Sequence, residues 1–159
     1  MPLILKYGGK VDQDLNESLV NTGIDLLPTL LDFAGITEPK DLPGISLKDA
    51  AEENGTLGSR PFIVVENKMY QGGPVDGKVP VVNGRMVRGG RYKYCLYDTL
   101  NRREALFDME KDSGETINIA EKEFSKKTLV KYREYLEEFA NANNDTLASR
   151  MLKYVKYLK

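Results

Sequence analysis

One stretch of the 159-residue chain, residues 84–120, constrains what the rest of the chain can fold into. Apolar and more polar side chains alternate from Tyr92 to Leu96, which is the period-two pattern of a β-strand. A second, shorter strand is predicted from Ala105 to Asp108, and the Asp-Ser-Gly sequence at 112–114 is typical of a tight turn. The sequence therefore predicts a β-hairpin that leads into a helix.

The chain after this hairpin predicts two amphipathic helices. From Lys122 to Phe139, apolar residues recur three and four positions apart, and charged residues occupy the opposite side. We expect this long helix to lie across one face of the sheet. Asp145 is predicted to cap a last helix. The basic face of that helix could bind a membrane or a partner helix, but its apolar stripe favours packing within its own domain. The apolar positions are Leu129, Tyr132, Leu136 and Phe139 in the first helix and Leu147, Met151, Tyr154, Val155 and Leu158 in the second.

The chain before the hairpin predicts a strand, a helix and a long loop. Residues 2–7 have the composition of a buried strand. The segment from Asp25 to Ala34 predicts a core helix, with Asp25 as the N-cap, so that Pro28 falls in the first turn. Residues 37–60 have loop composition, and a further strand is predicted from Phe62 to Glu66. The core-facing residues of the helix are expected to be Leu27, Leu30, Leu31 and Ala34.

Three arginines and the single cysteine lie within the predicted sheet. Arg85, Arg88 and Arg91 are expected on its outer face, where their long side chains can reach water. Cys95 lies in the middle of a strand among tyrosines, and we expect it to be a small core residue.

Three runs of this sequence resemble the C-terminal part of sulfatases, which belong to the alkaline-phosphatase-like superfamily. They match the family patterns D-x-x-P-T-L-L-x-x-A-G, R-x-x-x-Y-K and L-Y/F-D-L-x-x-D-P-x-E-x-x-N, in that order. The sequence departs from the family at Ser113, where proline is usual, and at Phe139, where tryptophan is common. The matching residues are Gly23–Leu31 with Ala34–Ile36, then Arg88–Tyr94, then Leu106–Met109 with Asp112, Glu115 and Asn118.

The resemblance implies an α+β fold. A small antiparallel β-sheet of about four strands would be packed by a long C-terminal helix. A strand and a helix, the remnant of an alkaline-phosphatase-like α/β domain, would precede it. We assign residues 1–60 to this remnant of the catalytic domain and residues 61–159 to the sulfatase C-terminal subdomain.

The resemblance also implies that the reactive groups lie elsewhere. Sulfatases carry a Cys/Ser-x-Pro-x-Arg motif whose first residue becomes formylglycine, and they bind a divalent cation, usually calcium, beside catalytic His and Lys. This sequence contains no such motif and no histidine. We therefore expect no catalytic residue, metal site or cofactor in this chain. The missing N-terminal catalytic domain is the expected partner, and a sulfated small molecule or glycan is the expected substrate of the parent enzyme.

A Gly/Pro-rich loop at residues 67–84 holds the candidate substrate-binding residues. Loops of the C-terminal subdomain border the active-site mouth in sulfatases, so the resemblance implies that Lys68, Tyr70 and Lys78 lie at the pocket rim. The alternative is that they are solvated loop residues. Gly72–Lys78 also matches G-x-x-x-x-G-K, but no Ser or Thr follows it, which disfavours a phosphate-binding loop. Asp12–Asn16 lacks the spacing of a calcium loop and is expected to be a polar linker.

Composition excludes some functions and leaves others open. A net charge of −1 argues against nucleic-acid binding, and the apolar runs are too short to span a membrane. The first residues lack the layout of a signal peptide, so a periplasmic, secreted or lysosomal parent would carry its signal outside this chain. Two alternatives stay open: a noncatalytic interaction module that forms homo-oligomers through an exposed strand edge, and the equivalent part of a related phosphatase or phosphodiesterase.

Overall fold

A computed structural model of the chain describes residues 3–9, 11, 15–52, 60–70, 72–74, 76–79, 81–99 and 103–157. The chain divides into two compact units, Met1–Ile63 and Val64–Lys159. The assignment of residues 1–60 and 61–159 to two parts of a sulfatase stays a prediction. Most of the predicted linker at Asp12–Asn16 lies outside the described residues.

The larger unit contains a four-stranded sheet whose spatial order follows the order of the strands along the chain. The second strand pairs antiparallel with the third, and the third with the fourth. This arrangement confirms the predicted small sheet. The strands are β1 (Ile63–Tyr70), β2 (Val81–Gly89), β3 (Tyr92–Tyr97) and β4 (Glu104–Asp108).

The core of this unit lies on one face of the sheet. Val87, Tyr94 and Leu106 are direct neighbours across β2, β3 and β4, and none of the three is exposed to solvent. Two helices, α3 (Lys126–Ala142) and α4 (Thr146–Tyr157), pack against each other and against this sheet. The predicted long helix across one face of the sheet is therefore confirmed.

Helix α3 begins later than the sequence predicted. Residues Glu123–Ser125 form a 3₁₀ turn, and the Ser125 hydroxyl donates to the carbonyls of Ile119 and Lys122. Helix α4 begins where it was predicted, because the Asp145 carboxylate accepts the Ala148 amide at 3.0 Å and caps it. The apolar position predicted at Leu158 lies outside the described residues.

The predictions for the edge of the sheet need two corrections. Strand β1 extends to Tyr70 and β2 begins at Val81, so the connecting loop is shorter than residues 67–84. Arg85 does not lie on the outer face. Its guanidinium is buried because Asp145 and Glu66 pair with it on the face that the helices cover.

The smaller unit contains two helices, α1 (Thr22–Phe33) and α2 (Lys48–Ala51). The strand predicted at residues 2–7 is wrong for the part that the structure describes. Residues 3–7 are neither helix nor strand, and Ile4 is 86% exposed. No strand lies within residues 15–52 to supply a pairing edge, and an apolar run without a β-partner has no ladder of hydrogen bonds to hold it as a strand.

Two predictions for α1 are also wrong. Its N-cap is Asn21, whose side chain accepts the Gly23 amide at 3.1 Å, so Asp25 lies inside the first turn. The predicted core face points to solvent, with Leu27 52% and Leu30 65% exposed. Asp25, Pro28 and Thr29 are buried instead, because the segment that packs on α1 supplies the Ile45 and Leu47 amides, which donate to the Asp25 carboxylate and the Thr29 hydroxyl.

The proline inside α1 is matched by a glycine in the loop that packs on it. Pro28 has no N–H, so the Ile24 carbonyl lacks its regular helical donor. The backbone of Gly44 lies against this carbonyl, and a Cβ at position 44 would overlap the Ile24 carbonyl group. Only glycine allows this close approach.

Candidate functional site

The three predicted rim residues lie at the exposed end of the β1–β2 hairpin. Lys68 and Tyr70 are two positions apart on β1 and therefore project from the same face of the strand. The Lys68 ammonium lies 5.6 Å from the centre of the Tyr70 ring, in a cation–π contact. Lys78 follows in the loop before β2, and all three side chains are exposed. The structure thus brings Lys68 and Tyr70 together.

The loop between β1 and β2 has the geometry of a hairpin turn. Asp76 and Gly77 have consecutive positive φ angles of 49° and 74°, as in the type I′ turns for which Asp-Gly is favoured. Lys78 comes directly after this turn. No helix occurs in the described residues 76–79, and β2 begins at Val81. Residues 72–74 and 76–79 therefore show a turn and no helix N-terminus of the kind that a phosphate-binding loop requires.

The chemistry of this hairpin end suits a contact with an anionic sugar. Two ammonium groups can attract a sulfate or carboxylate, and a phenol ring can lie against the apolar face of a sugar ring. No hydrogen bond, ion pair or cation–π contact among the described residues joins Lys78 to Lys68 or Tyr70. Among the residues that the structure describes, Lys68, Tyr70 and Lys78 form an open surface rather than a closed cleft.

The described residues do not fit a catalytic metal or a formylglycine. No three His, Cys, Asp or Glu side chains among them form a group that could hold a metal ion. Cys95 is 6% exposed in the middle of β3, and burial raises the pKa of its thiol. A buried, protonated thiol is a poor nucleophile and is not presented to a substrate. Cys95 is the small core residue that the sequence predicted.

A polar cluster between α3 and the sheet, with Tyr94 fully buried and Glu104 and Arg133 mostly buried, is the group that sequence reasoning missed. Arg133 donates from Nε and Nη2 to the two carboxylate oxygens of Glu104, at 2.8 and 2.5 Å. The Tyr94 hydroxyl donates to the same carboxylate at 2.6 Å. Burial, and then the Glu104 charge, hold the pKa of Tyr94 well above its usual value. The three groups satisfy one another's hydrogen bonding, so this cluster joins helix to sheet.

The sequence run from Asp112 to Asn118 also has a structural role. The Asp112 carboxylate accepts the Thr116 hydroxyl at 2.9 Å and the Ile117 amide at 2.8 Å, which folds the chain back after β4. Glu115 adopts a left-handed backbone with φ of 55° inside this turn and pairs with Lys93. The turn positions Asn118 beside the sheet.

Asn118 completes the hydrogen bonding of β4. Its Oδ1 accepts the Leu106 and Ala120 amides, and its Nδ2 donates to the Glu104 carbonyl, each at 3.0 Å. The side chain thereby takes the place of a neighbouring strand at this point. Asp112 and Asn118, two of the residues that carry the resemblance, therefore stabilise the edge of the sheet.

The part of the chain that the structure describes contains no helix long and apolar enough to cross a membrane.

Comparison with known proteins identifies where this architecture recurs. The sequence model of the family described as "N-sulphoglucosamine sulphohydrolase, C-terminal" matches residues 1–142. Delta 4,5-hexuronate-2-O-sulfatase of Bacteroides thetaiotaomicron is 37% identical over 132 residues, which are 82% of this chain and 26% of that protein. Arylsulfatase K of Bos taurus is 31% identical over 129 residues, which are 77% of this chain and 22% of that protein.

A solved structure agrees with these sequence matches. The crystal structure of a sulfatase homologue from Bacteroides thetaiotaomicron superimposes with a TM-score of 0.75 at 33% identity, and the match covers 89% of this chain and 30% of that one. The chain thus spans about a quarter of the length of the relatives that it matches. The fold found here corresponds to one part of a larger protein in each case.

Proposed function

Because this chain belongs to the family of N-sulphoglucosamine sulphohydrolase C-terminal regions, we propose that it completes the fold of a sulfuric ester hydrolase and borders its substrate pocket. The match over residues 1–142 carries this proposal, because it takes in the smaller unit and, from the larger unit, all four strands and α3. The match covers 26% of the hexuronate sulfatase from Bacteroides thetaiotaomicron, so about three-quarters of that protein lies outside it. The partner of this chain is the catalytic part that this remaining length represents.

The catalytic groups of the assembled enzyme belong to that partner. A divalent cation, calcium in the family's usual chemistry, and a formylglycine nucleophile would be supplied there. The described residues of this chain offer neither a ligand cluster nor an accessible thiol. By itself the chain is therefore inert toward sulfate esters.

The end of the β1–β2 hairpin forms the rim of the substrate pocket. Lys68 and Tyr70 present a charge and an aromatic ring on one face of β1, and Lys78 adds a second charge from the loop. These groups bind the anionic or sugar part of the substrate, and a sulfated glycan is the substrate class that the name of the hexuronate sulfatase relative supports. Their exposed positions allow contact with a substrate held by the catalytic part.

An assay of the purified 159-residue chain with an aryl sulfate tests the first part of the proposal. No turnover is expected above the uncatalysed rate, with or without added calcium. Turnover that co-purifies with the chain would show that the reactive groups lie within it and would contradict the proposal.

The rim is tested in the enzyme assembled from this chain and its catalytic part. Lys68→Ala and Lys78→Ala should each raise KM for a sulfated disaccharide by up to about fivefold with kcat little changed, as expected for an exposed charge pair worth about 1 kcal/mol. Lys127→Ala, an exposed lysine on α3, is the matched control. Equal kinetics for all three variants would show that the hairpin lysines are solvated loop residues.

A further inference from the structure

A polar cleft, here called the α3–α4 cleft, lies where the end of α3 meets the first turns of α4. Its volume is about 420 Å³, within the range of about 300–1,000 Å³ that is usual for small-molecule sites. The rim residues Lys68, Tyr70 and Lys78 are not part of its lining. The polar residues that line it are Asn141, Asn144, Thr146, Ser149, Arg150 and Lys153.

Helix α4 has one side in the core and one side along the cleft. Its buried side carries Ala148, Met151, Leu152 and Val155. Its four cleft residues recur three or four positions apart, from Thr146 to Lys153, so they project from a common side of the helix. Burial of the apolar side disfavours a membrane-bound role, in which that side would be exposed. The core thus fixes which residues of α4 face the cleft.

The cleft carries two positive charges, Arg150 and Lys153, that form no ion pair within the described part of the chain. Asp145 is the nearest acidic residue along the sequence, but its carboxylate is already paired with Arg85. Of the described residues that line the cleft, none is acidic. Glu137 lines a smaller cleft of about 230 Å³ next to it, which Lys153 also borders. The potential in the larger cleft therefore favours an anion.

Two side-chain amides and a hydroxyl beside these charges are also available to a ligand. Among the described residues, the side chains of Asn141, Asn144 and Thr146 make no hydrogen bond. Asn143, by contrast, uses its amide to donate to the Phe139 carbonyl at 2.9 Å. An asparagine side chain has both donors and an acceptor, so it can bond to a sugar hydroxyl in either direction, whereas a bare anion uses only the donors. The cleft therefore suits a ligand that has both hydroxyl groups and a negative charge.

We infer that the α3–α4 cleft is a noncatalytic binding site for an anionic saccharide. Arg150 and Lys153 bind a sulfate or carboxylate group of the sugar, and the amides of Asn141 and Asn144 bind its hydroxyl groups. The site goes beyond the proposed function, because its residues are distinct from the hairpin rim. Only the choice of a sulfated saccharide as the ligand rests on the proposed function, which supplies that substrate class.

NMR titration of the full 159-residue chain tests the inference directly. The probe is a disaccharide of 2-O-sulfated uronate and N-sulfated glucosamine, compared with the same disaccharide without sulfate and with inorganic sulfate. The side-chain amide signals of Asn141 and Asn144 should shift in a saturable way with the sulfated disaccharide. Its affinity should exceed that of each comparison ligand by about fivefold or more, because each of these lacks part of the recognised chemistry. This measurement needs no variant.

Charge-removing variants test the two cations. Arg150→Gln and Lys153→Gln should each weaken binding of the sulfated disaccharide by about fivefold, as expected for the loss of one exposed charge contact. Both positions are exposed, so the variants should keep the backbone spectrum of the wild-type chain. Lys127→Gln, an exposed lysine in the first turn of α3, is the matched control and should bind like wild type.

Three results would overturn the inference. Wild-type affinity in the double variant Arg150→Gln/Lys153→Gln would show that the two cations do not hold the ligand. Saturable shifts that leave the signals of Asn141 and Asn144 unchanged would place the saccharide elsewhere. Inorganic sulfate that binds as tightly as the disaccharide would show a site for a simple anion without recognition of the sugar.

The experiment separates the inference from the proposed function, because it measures binding by the chain alone. Failure of the cleft to bind the disaccharide leaves the proposed fold-completing role and the hairpin rim untouched. Turnover of an aryl sulfate by the purified chain would contradict the proposed function and leave a measured affinity of the cleft in place. Binding of glucose 6-phosphate but not of the sulfated disaccharide would show that the ligand class taken from the proposed function is wrong.

Discussion

Arg85 of β2 and Asp145 at the start of α4 are 60 residues apart in the sequence and form a two-pronged ion pair, with Nε to Oδ2 at 2.6 Å and Nη2 to Oδ1 at 3.1 Å. Both side chains are only 8% exposed. The same carboxylate accepts the Ala148 amide and caps α4. Burial by itself raises the pKa of Asp145, but the bonds from Arg85 and Ala148 outweigh it and lower the pKa below its ordinary value. One carboxylate therefore fixes both the start of α4 and its attachment to the sheet.

Replacing Arg85 should be one of the most damaging single changes in the larger unit. Arg85→Met leaves the Asp145 charge buried without its partner and is expected to lower the free energy of unfolding by about 3–5 kcal/mol. Urea denaturation followed by circular dichroism measures the loss. Arg85→Met/Asp145→Asn, which removes the stranded charge but keeps a capping side chain, should lose less than the sum of the single variants. Additive losses would show that the two residues do not act as a pair.

Asp108 should titrate at unusually low pH. Its hydrogen bond from the Arg91 guanidinium lowers the pKa to about 2, from an ordinary value of 3.8. Since the folded-state pKa is the lower one, the stabilisation from this pair is fully present above about pH 4 and is lost as the pH falls through about 2. Carbon-detected NMR of the carboxyl group measures the pKa directly.

The variant Arg91→Met tests whether the Arg91 guanidinium causes the low pKa of Asp108. The pKa of Asp108 should rise toward its ordinary value in this variant. Asp112, whose pKa is lowered chiefly by the amides of Ile117 and Thr116, is an internal control that should hardly move. An unchanged pKa of Asp108 would show that Arg91 is not the main cause of the shift.

Asn118 should be needed for the order of β4. Asn118→Ala leaves the Leu106 amide and the Glu104 carbonyl without their side-chain partner, and the loss is expected to be about 1–3 kcal/mol. Hydrogen exchange should show faster exchange at the Leu106 amide in particular. Asn143→Ala, an exposed site at the end of α3, is the control. Unchanged protection of the Leu106 amide would contradict the strand-replacing role.

Gly44 should not tolerate a side chain. In Gly44→Ala the new Cβ would overlap the Ile24 carbonyl, so the loop must move away from α1 at a cost of about 1–3 kcal/mol. The displaced loop should also weaken the bond from the Ile45 amide to Asp25, which hydrogen exchange at Ile45 reports. Gly73→Ala is the matched control, because nothing lies within 4 Å of a Cβ there. Equal stability of the two variants would contradict the close packing.

Local patterns determined much of the larger unit. Alternation in β3, the three- and four-residue spacing in α3 and the cap at Asp145 are properties of short segments, and each was predicted, although α3 begins at Lys126 rather than Lys122. The family resemblance could also be recognised from the sequence. It lies in short runs whose residues hydrogen-bond to one another over a few positions, as the Ile117 amide does with the Asp112 carboxylate. The candidate rim residues were chosen from a hairpin loop and remain a prediction.

Tertiary structure decided which side of each element is buried. The sequence of α1 shows an apolar stripe, yet the packing loop brings the Ile45 and Leu47 amides and draws Asp25 and Thr29 inward. Arg85 looks like a surface residue until α4 supplies Asp145 across 60 residues. Which face of a helix or strand is buried depends on the segment that packs against it. When that segment is distant in the sequence, the spacing of residues within the helix or strand does not reveal it. For this reason the sequence alone gave the stripe of leucines on α1, and only the three-dimensional structure showed that the stripe faces outward.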